Sequence, residues 1–269
     1  MIVPSPADAP VRVETTAGRG WAVRGFDEAL LKRLVTADEC PDADAEVMKA
    51  GNTAVVLRGE LLIAGKAVPV CWKRIRRKTW LKRLATSVRT RRTVLTYLYA
   101  ARLLEAGVGT PRGVACTAPA WWRIDRPAWL LTDWIEGTED LAIADRRLAE
   151  ASADERLRTA GRYAAAVGET LGRLHAAGAT HRDLKPNNLL VFKAEPTEGD
   201  PTKAWVIDLD AVSFPNRLSD HRRRRDVARL HRGLSDMPRT VAVRFFKAYA
   251  EARGTLWREE WDALTPPVD

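Results

Sequence analysis

Three polar side chains between positions 183 and 188 have the types and the spacing that phosphoryl transfer requires. Asp183 is a carboxylate that can orient a hydroxyl group and accept its proton, and Lys185 can neutralise charge on a moving phosphoryl group. Asn188 offers an amide oxygen that can ligate a metal ion. We therefore predict Asp183 as the catalytic base, Lys185 as a phosphate contact and Asn188 as a metal ligand.

The stretch 181–188 matches the pattern H-R-D-L-x-x-x-N, which is the catalytic loop of kinases, at every specified position. A structural alternative is a polar turn before a strand, in which His181 and Asp183 only satisfy backbone groups. Such a turn does not require the complete set of residues, so the catalytic interpretation is favoured.

A second carboxylate follows at the expected separation. The apolar run 204–207 is typical of a buried strand, and it ends at Asp208, where kinases place a further metal-binding carboxylate. We predict Asp208 as a metal ligand. Asp210 stands where kinases have the glycine of D-F-G; either a metal contact or a local turn would explain it.

The segment 45–75 contains short β-branched runs separated by glycines, which predict an antiparallel meander. Its first turn, with Gly51, Asn52 and Thr53, lies where a glycine-rich loop would cover nucleotide phosphates, although a plain hairpin turn has the same composition. Lys73 ends the predicted third strand and resembles the lysine that holds the α- and β-phosphates of a nucleotide; a solvated lysine is the alternative.

The elements that must position these residues predict an α+β fold of two lobes, similar to that of protein kinases. We expect a loosely packed lead-in over 1–44, with a short helix near 27–35, and an N-lobe over 45–135 with an antiparallel sheet and one main helix. A reduced, mostly helical C-lobe follows over 136–269.

Helical periodicity places the main helix of the N-lobe at 80–104 and a long helix of the C-lobe at 148–176. No acidic residue of the first helix is available to pair with Lys73. Between the lobes we predict a hinge at Asp133, Trp134 and Ile135, whose backbone would pair with adenine.

The charge of the chain bears on its partners and its location. The net charge is +9, and the basic runs around 73–78, 82–83, 89–92 and 221–225 would attract anions, unless each is only a solvated helix face. Three scattered cysteines indicate a reducing compartment. With no signal peptide and no apolar stretch long enough to span a bilayer, we expect a cytoplasmic protein that can contact a membrane peripherally.

Taken together, these segments resemble the lipopolysaccharide kinase family, whose members phosphorylate heptose or Kdo sugars of the lipopolysaccharide inner core. The resemblance covers residues 45–235. It rests on the catalytic loop and on the stretches 49–53, 70–73, 104–111, 206–210 and 226–232. It implies ATP, Mg²⁺, action at the cytoplasmic side of the inner membrane and an anionic sugar or glycolipid acceptor, and it disfavours nucleic acid.

Two alternatives stay open. A small protein serine/threonine kinase would explain Lys185-Pro186, but there is no A-P-E motif and the segment after Asp208 is short. A catalytically silent kinase-like module, binding lipid or nucleic acid through its basic faces, would explain the missing helix glutamate. Against it stand Asp183, Asn188 and Asp208, a set that metal–phosphate chemistry requires.

Overall fold

The computed structural model describes residues 11–51, 54–75, 86–120, 122–123, 126–193, 203–235 and 238–265, and for residues 86–91 it describes the backbone alone. The chain divides into two compact units, one formed by Met1–Ala101 with Pro111–Ile135 and the other by Arg102–Thr110 with Glu136–Asp269. Strands and helices occur in both, as an α+β fold requires.

The first unit is built on an antiparallel sheet. Its strands are β1 (Val11–Thr15), β2 (Gly18–Ala22), β3 (Glu46–Ala50), β4 (Ala54–Ile63), β5 (Lys66–Ile75), β6 (Gly113–Pro119) and β7 (Ala128–Asp133). Within the described residues their order is β1-β2-β6-β7-β5-β4-β3. The predicted meander is confirmed, but β4 continues through Gly59, which the sequence analysis took as a break. A side chain there would meet the Trp72 indole nitrogen at 2.8 Å, so glycine lets the strand pass without interruption.

The expectation of a loosely packed lead-in is wrong for residues 11–36. Strands β1 and β2 extend the sheet, and helix α1 (Glu28–Thr36) covers one of its faces with buried Leu31 and Leu34. These side chains share an apolar core with Trp72 of β5. The helix itself was predicted, and it begins after Asp27, whose carboxylate accepts a hydrogen bond from the Ala29 backbone at 2.7 Å. Twelve of the 26 residues in this segment are apolar, and only Ala29 among them is exposed.

Helix α2 (Thr86–Glu105) corresponds to the predicted main helix over 80–104 and ends one residue later, and residues 80–85 are outside the described part. It ends where the sequence indicated, because Gly107 has a φ of 72° and its backbone N–H bonds the Leu104 carbonyl at 2.9 Å. Leu103 is fully buried, whereas Leu98 is exposed.

The second unit is mainly helical. Its helices are α3 (Leu141–Ala149), α4 (Ala153–Ala176), α5 (Asp220–His231), α6 (Arg239–Arg253) and α7 (Trp257–Leu264). Its strands are β8 (Thr138–Asp140), β9 (Thr180–His181), β10 (Leu189–Phe192), β11 (Ala204–Val206) and β12 (Val212–Ser213). They form a sheet in the order β11-β10-β8 and the pair β12-β9.

The predicted single helix over 148–176 is wrong at its start. The chain breaks between α3 and α4, and Ser152 begins the second helix by accepting a hydrogen bond from the Glu155 backbone at 3.3 Å. Helix α4 then packs closely on α6, since Gly168 and Gly172 lie directly against backbone atoms of Phe245 and Tyr249. This packed pair is the support on which the polar loops of the second unit rest.

Candidate active site

The predicted catalytic loop connects β9 to β10 and ends in a short 3-10 turn, Pro186–Asn188. Lys185 Nζ lies 2.9 Å from Asp183 Oδ2. Asn188 Nδ2 donates to the Asp183 carbonyl at 2.8 Å and reaches Asp183 Oδ2 at 3.4 Å. Because its amide nitrogen is committed to Asp183, the amide oxygen is the atom that Asn188 can offer to a cation. The loop therefore brings three of the predicted site residues together.

The Asp183–Lys185 pair faces solvent, with side-chain exposures of 54% and 49%. A pair this exposed stabilises the fold by about 1 kcal/mol at most. Its carboxylate is instead accessible to a hydroxyl group from outside, as a general base requires.

Asp208 follows β11 and adopts a left-handed backbone with φ 58° and ψ 49°. This region is uncommon for a residue other than glycine, and a strained backbone often marks a functional position. The preceding residue, Ile207, donates its backbone N–H to the Asn188 carbonyl at 2.9 Å. A backbone hydrogen bond therefore connects Asn188 to the residue directly before Asp208.

Two further bonds join the catalytic loop to the segment around Asp208. The buried His181 ring approaches the Ile207 carbonyl through Nε2 at 3.1 Å, which places the ring proton on this nitrogen. Arg182 donates its backbone N–H to the Ala211 carbonyl at 3.0 Å, next to the β9–β12 pair. Asp183, Asn188 and Asp208 therefore belong to one connected backbone framework.

The sequence analysis gave no role to Asp226, yet it anchors this framework. Asp226 is 1% exposed, and its Oδ2 accepts a hydrogen bond from the His181 backbone at 2.9 Å and another from the Thr180 hydroxyl. A usable signal was present: in α5, Arg223, Asp226 and Leu230 recur at helical spacing on the buried face. An acid four residues before a buried leucine on one helix face requires a polar partner if it is buried as well.

The predicted nucleotide contacts lie in the first unit. Lys73 is within β5, paired with Val56 and Leu130, on the face opposite to Trp72. Gly51 closes the β3–β4 hairpin by donating to the Ala54 carbonyl at 2.9 Å. The neighbouring Asn52 and Thr53 lie outside the described residues.

Two of the three predicted hinge residues use their backbone donors within the sheet. Asp133 donates to the Arg112 carbonyl and Trp134 to the Pro69 carbonyl, each at 2.9 Å, and Ile135 follows them. The Asp133 carboxylate also pairs with the Arg112 guanidinium at 3.1 Å. An adenine ring could not bind through these two N–H groups without displacing a carbonyl.

Some members of the predicted basic clusters are internal rather than free to attract anions. Arg74 is buried, bonded to the Asp38 carbonyl at 2.7 Å and paired with Glu39. Arg223 is buried against Glu260. In contrast, Arg222 and Arg225 are exposed. The prediction that these basic residues attract anions is therefore wrong for Arg74 and Arg223, because each buried guanidinium is already paired with a carboxylate of the protein.

The donor set of the site suits a hard divalent cation. In the part of the chain that the structure describes, no cluster of three or more His, Cys, Asp or Glu side chains could hold a metal ion. The carboxylate of Asp208 and the amide oxygen of Asn188 remain as oxygen donors. Mg²⁺ is bound in this way at phosphoryl-transfer sites, by one or two protein oxygens, with water and phosphates completing its shell.

A cavity of about 680 Å³ lies elsewhere in the second unit, between α3, α4, α5 and α6. Its wall is predominantly apolar and includes Leu148, Leu157, Val167, Val241 and Phe246. None of the predicted site residues borders it. None of the described helices combines the length and the apolar character that crossing a bilayer demands.

Comparison with known proteins places this geometry in context. The model of the "Lipopolysaccharide kinase (Kdo/WaaP) family" matches residues 65–249. The lipopolysaccharide core heptose(I) kinase WaaP of Pseudomonas aeruginosa is 28% identical over 150 residues, which are 55% of this chain and 55% of that protein. The match therefore spans about half the length of this curated relative.

A solved structure of WaaP in complex with acyl carrier protein superimposes with a TM-score of 0.56. The sequence identity is 22%, and the match covers 81% of this chain and 82% of that chain. This similarity confirms the predicted kinase-like α+β fold.

Proposed function

Because the chain belongs to the lipopolysaccharide kinase (Kdo/WaaP) family, as its sequence resemblance predicted, we propose that it transfers the γ-phosphoryl group of ATP to a hydroxyl group of an anionic sugar. The inner core of lipopolysaccharide is the favoured acceptor. The observation that carries the proposal is the hydrogen-bonded framework that holds Asp183, Asn188 and the Asp208 segment together.

In this proposal Asp183 orients the acceptor hydroxyl and takes its proton as the oxygen attacks the γ-phosphorus. Lys185, already 2.9 Å from Asp183, balances the negative charge of the carboxylate and of the transferred group. Asn188 limits the rotation of Asp183 through its two contacts to that residue. The bond between the γ-phosphorus and the oxygen that bridges it to the β-phosphate breaks, and ADP leaves.

The residues present fit Mg²⁺, for which Asn188 and Asp208 would be the protein ligands. When bound, this ion neutralises charge on the β- and γ-phosphates of the nucleotide. Gly51, Asn52, Thr53, Lys73 and the segment from Asp133 to Ile135 remain our predicted contacts to ATP.

Exposed arginines close in sequence to the catalytic framework support an anionic acceptor. Arg182 directly precedes Asp183 in the sequence. Arg217, Arg222 and Arg225 lie in or just before α5, and all four side chains are exposed. Guanidinium groups bind carboxylates and phosphates through paired donors. The same surface would favour peripheral contact with an anionic inner-membrane surface from the cytoplasmic side.

The test is a transfer assay with labelled ATP against deacylated core oligosaccharide, a phospholipid and a generic protein substrate. We expect label on the oligosaccharide, and we expect its loss in Asp183→Asn, with an unchanged melting temperature because Asp183 is exposed. Wild-type turnover by this variant would refute the role of Asp183. Label on the protein alone would favour the protein-kinase alternative, and no transfer with no Mg·ATP binding would favour the silent module.

The protein-kinase alternative is disfavoured by the chain after Asp208. Helix α5 already begins at Asp220, and the intervening segment contains the short turn at 209–211 and strand β12. Protein kinases use a longer segment here as a platform for an extended peptide. A compact sugar acceptor has no need of such a platform.

The apolar cavity favours a second binding role. The WaaP structure described above was solved in complex with acyl carrier protein, a protein that carries fatty acyl chains, and a cavity of about 680 Å³ with an apolar wall is large enough for such a chain. We propose that an acyl carrier protein is a partner of this chain as well. Co-purification with acylated carrier, lost with the unacylated form or in Val167→Asp, would support this; equal capture of both forms would exclude an acyl-chain site.

A further inference from the structure

A continuous chain of polar side chains crosses the core of the second unit and ends at the catalytic loop. It begins at Glu260 of α7, which pairs with Arg223 of α5. Arg223 Nη1 lies 3.2 Å from the Tyr249 hydroxyl of α6, and this hydroxyl lies 2.6 Å from Nδ1 of His175 in α4. His175 Nε2 is 3.3 Å from Asp226 Oδ2, the atom that accepts the His181 backbone N–H.

Every member of this chain is buried. Tyr249 is fully enclosed, Asp226 is 1% exposed, and Glu260, His175 and Arg223 are at most 6% exposed. Burial lowers the pKa of His175, so its ring is neutral, and raises the pKa of Tyr249 to about 12, so its hydroxyl keeps its proton. An apolar core of the same volume would cost less desolvation energy, so stability alone does not explain these side chains.

The two ends of the chain determine the direction of each hydrogen bond in it. The Arg223 guanidinium can only donate, and the Asp226 carboxylate can only accept. Tyr249 therefore accepts from Arg223 and donates to His175 Nδ1, and His175 donates from Nε2 to Asp226. A network with one allowed arrangement is more rigid than its separate pairs, because each bond polarises the next.

We propose that Arg223, Tyr249 and His175 are positioning residues for the catalytic loop. They act through Asp226: with the His175 bond in place, the carboxylate is fixed in the orientation in which Oδ2 receives the His181 backbone and the Thr180 hydroxyl. Asp183 is two residues further along the same loop. Helix α7, through Glu260, supplies the charge that keeps Arg223 in position. The effect on turnover rests on the proposed kinase function, whereas the effect on loop order does not.

The chain offers a matched pair of substitutions. Tyr249→Phe removes the hydroxyl that links Arg223 to His175. Tyr163→Phe removes the hydroxyl of a tyrosine of α4 that is 4% exposed; this hydroxyl donates to the Phe192 carbonyl at 2.8 Å and accepts from Arg147 at 3.1 Å. Both lose one hydroxyl with a carbonyl or ring-nitrogen acceptor and an arginine donor, but only the first belongs to the chain that ends at Asp226.

Two measurements are made on both full-length variants. In hydrogen–deuterium exchange, we expect the His181 amide of Tyr249→Phe to exchange about tenfold faster than in the wild type, as losing about one net hydrogen bond implies. In the transfer assay we expect kcat to fall about tenfold, because the catalytic loop is displaced. The KM for ATP should stay within about twofold, because the predicted nucleotide contacts are unchanged. Tyr163→Phe should change neither quantity.

A conservative substitution adds a rescue test. His175→Gln keeps one donor and one acceptor and should retain more turnover than His175→Leu, which keeps neither. Wild-type exchange at His181 in Tyr249→Phe would overturn the proposal, as would equal effects in Tyr163→Phe. If the protein proves not to be a kinase, faster exchange in Tyr249→Phe alone still supports the positioning role.

Discussion

The polar residues of the candidate site separate into a solvent-facing pair and an internal support. Asp183 and Lys185 are about half exposed, so a hydroxyl group can reach them from outside the protein. Asn188 and Asp226 are buried and stabilise the loop through hydrogen bonds to its backbone. Asp226, distant in sequence from Asp183 and Lys185, supports the loop without belonging to the proposed chemistry, so substitutions of Asp226 and of Asp183 should have different consequences.

Asp208, our proposed metal ligand, has an unusual backbone conformation. Asparagine also tolerates the left-handed region, so Asp208→Asn should keep the wild-type melting temperature while lowering turnover by about a hundredfold or more. Asp208→Val should lose turnover and, in addition, about 1–2 kcal/mol of unfolding free energy, since β-branched residues are strained at a φ of 58°. Urea denaturation and the transfer assay check both. Equal stability of the two variants would contradict the backbone argument.

His175 should make the stability depend on pH. Its pKa in the folded protein is lowered by burial from the ordinary value of 6.5, so the unfolded chain binds the proton more readily. The free energy of unfolding should therefore be highest above pH about 6.5 and decrease as the pH falls towards the lowered pKa. His175→Gln should reduce this slope between pH 5 and 6.5, measured by urea denaturation at several pH values, whereas His221→Gln, at an exposed position, should retain it.

At the scale of elements, the second unit depends on how closely α4 and α6 approach each other. Gly168 and Gly172 allow this approach, because a Cβ at Gly172 would lie 2.5 Å from the Tyr249 carbonyl oxygen. The close packing also fixes the height of Tyr249 relative to His175 along the two helices. Helix pairing and loop positioning are therefore linked: the glycines that admit α6 also bring the Tyr249 hydroxyl within 2.6 Å of His175 Nδ1.

A matched pair of glycine substitutions tests this packing. Gly168→Ala should destabilise the protein by about 1–3 kcal/mol, because its methyl group would collide with the Phe245 backbone, which cannot move aside. Gly161→Ala, on the same helix, would meet only the flexible end of Arg244, and its better helix propensity should keep the change within about 1 kcal/mol. Thermal denaturation distinguishes them, and similar melting temperatures would contradict the proposed close contact.

At the scale of the whole molecule, the net charge of +9 is the property most relevant to partners. Some of the basic side chains are buried and paired with acids, as Arg74 and Arg223 demonstrate, but other arginines close in sequence to the catalytic framework of the second unit are exposed. Long-range attraction of this kind increases the local concentration of an anionic acceptor and is screened by salt. Salt dependence is accordingly a property of the whole surface and not of one contact.

The KM for an anionic core oligosaccharide should therefore rise several-fold between 50 and 300 mM KCl, while kcat changes little. Arg225→Gln should raise KM at low salt and weaken this dependence. Lys247→Gln, which removes the same charge from the exposed face of α6, should behave as the wild type. Steady-state kinetics at several salt concentrations provide the measurement, and identical salt dependence of the two variants would argue against a local acceptor surface.

The sequence by itself determined the residue types and the spacing of Asp183, Lys185 and Asn188, and it predicted the strand that precedes Asp208. These could be predicted because each depends only on a few neighbouring residues, whose distances from one another are limited by the backbone that connects them. The short helix near 27–35 and the end of the main helix near 104 were predicted to within a residue or two of their observed bounds. The packing of 11–36 was missed because its apolar residues are divided between two short strands and one short helix, and none of these is long enough to give a strong periodic signal.

Only the tertiary structure decided which charges are internal and what they hold. The run of four arginines at 222–225 predicts an exposed Arg223. In the structure Arg223 is buried and pairs with Glu260, 37 residues away. Asp226 acquires its role from His181, 45 residues earlier. Burial depends on which distant segments pack together, and the cost of a buried charge then requires a partner from one of them. No local pattern contains that partner, so the support behind the catalytic loop became visible only in the folded chain.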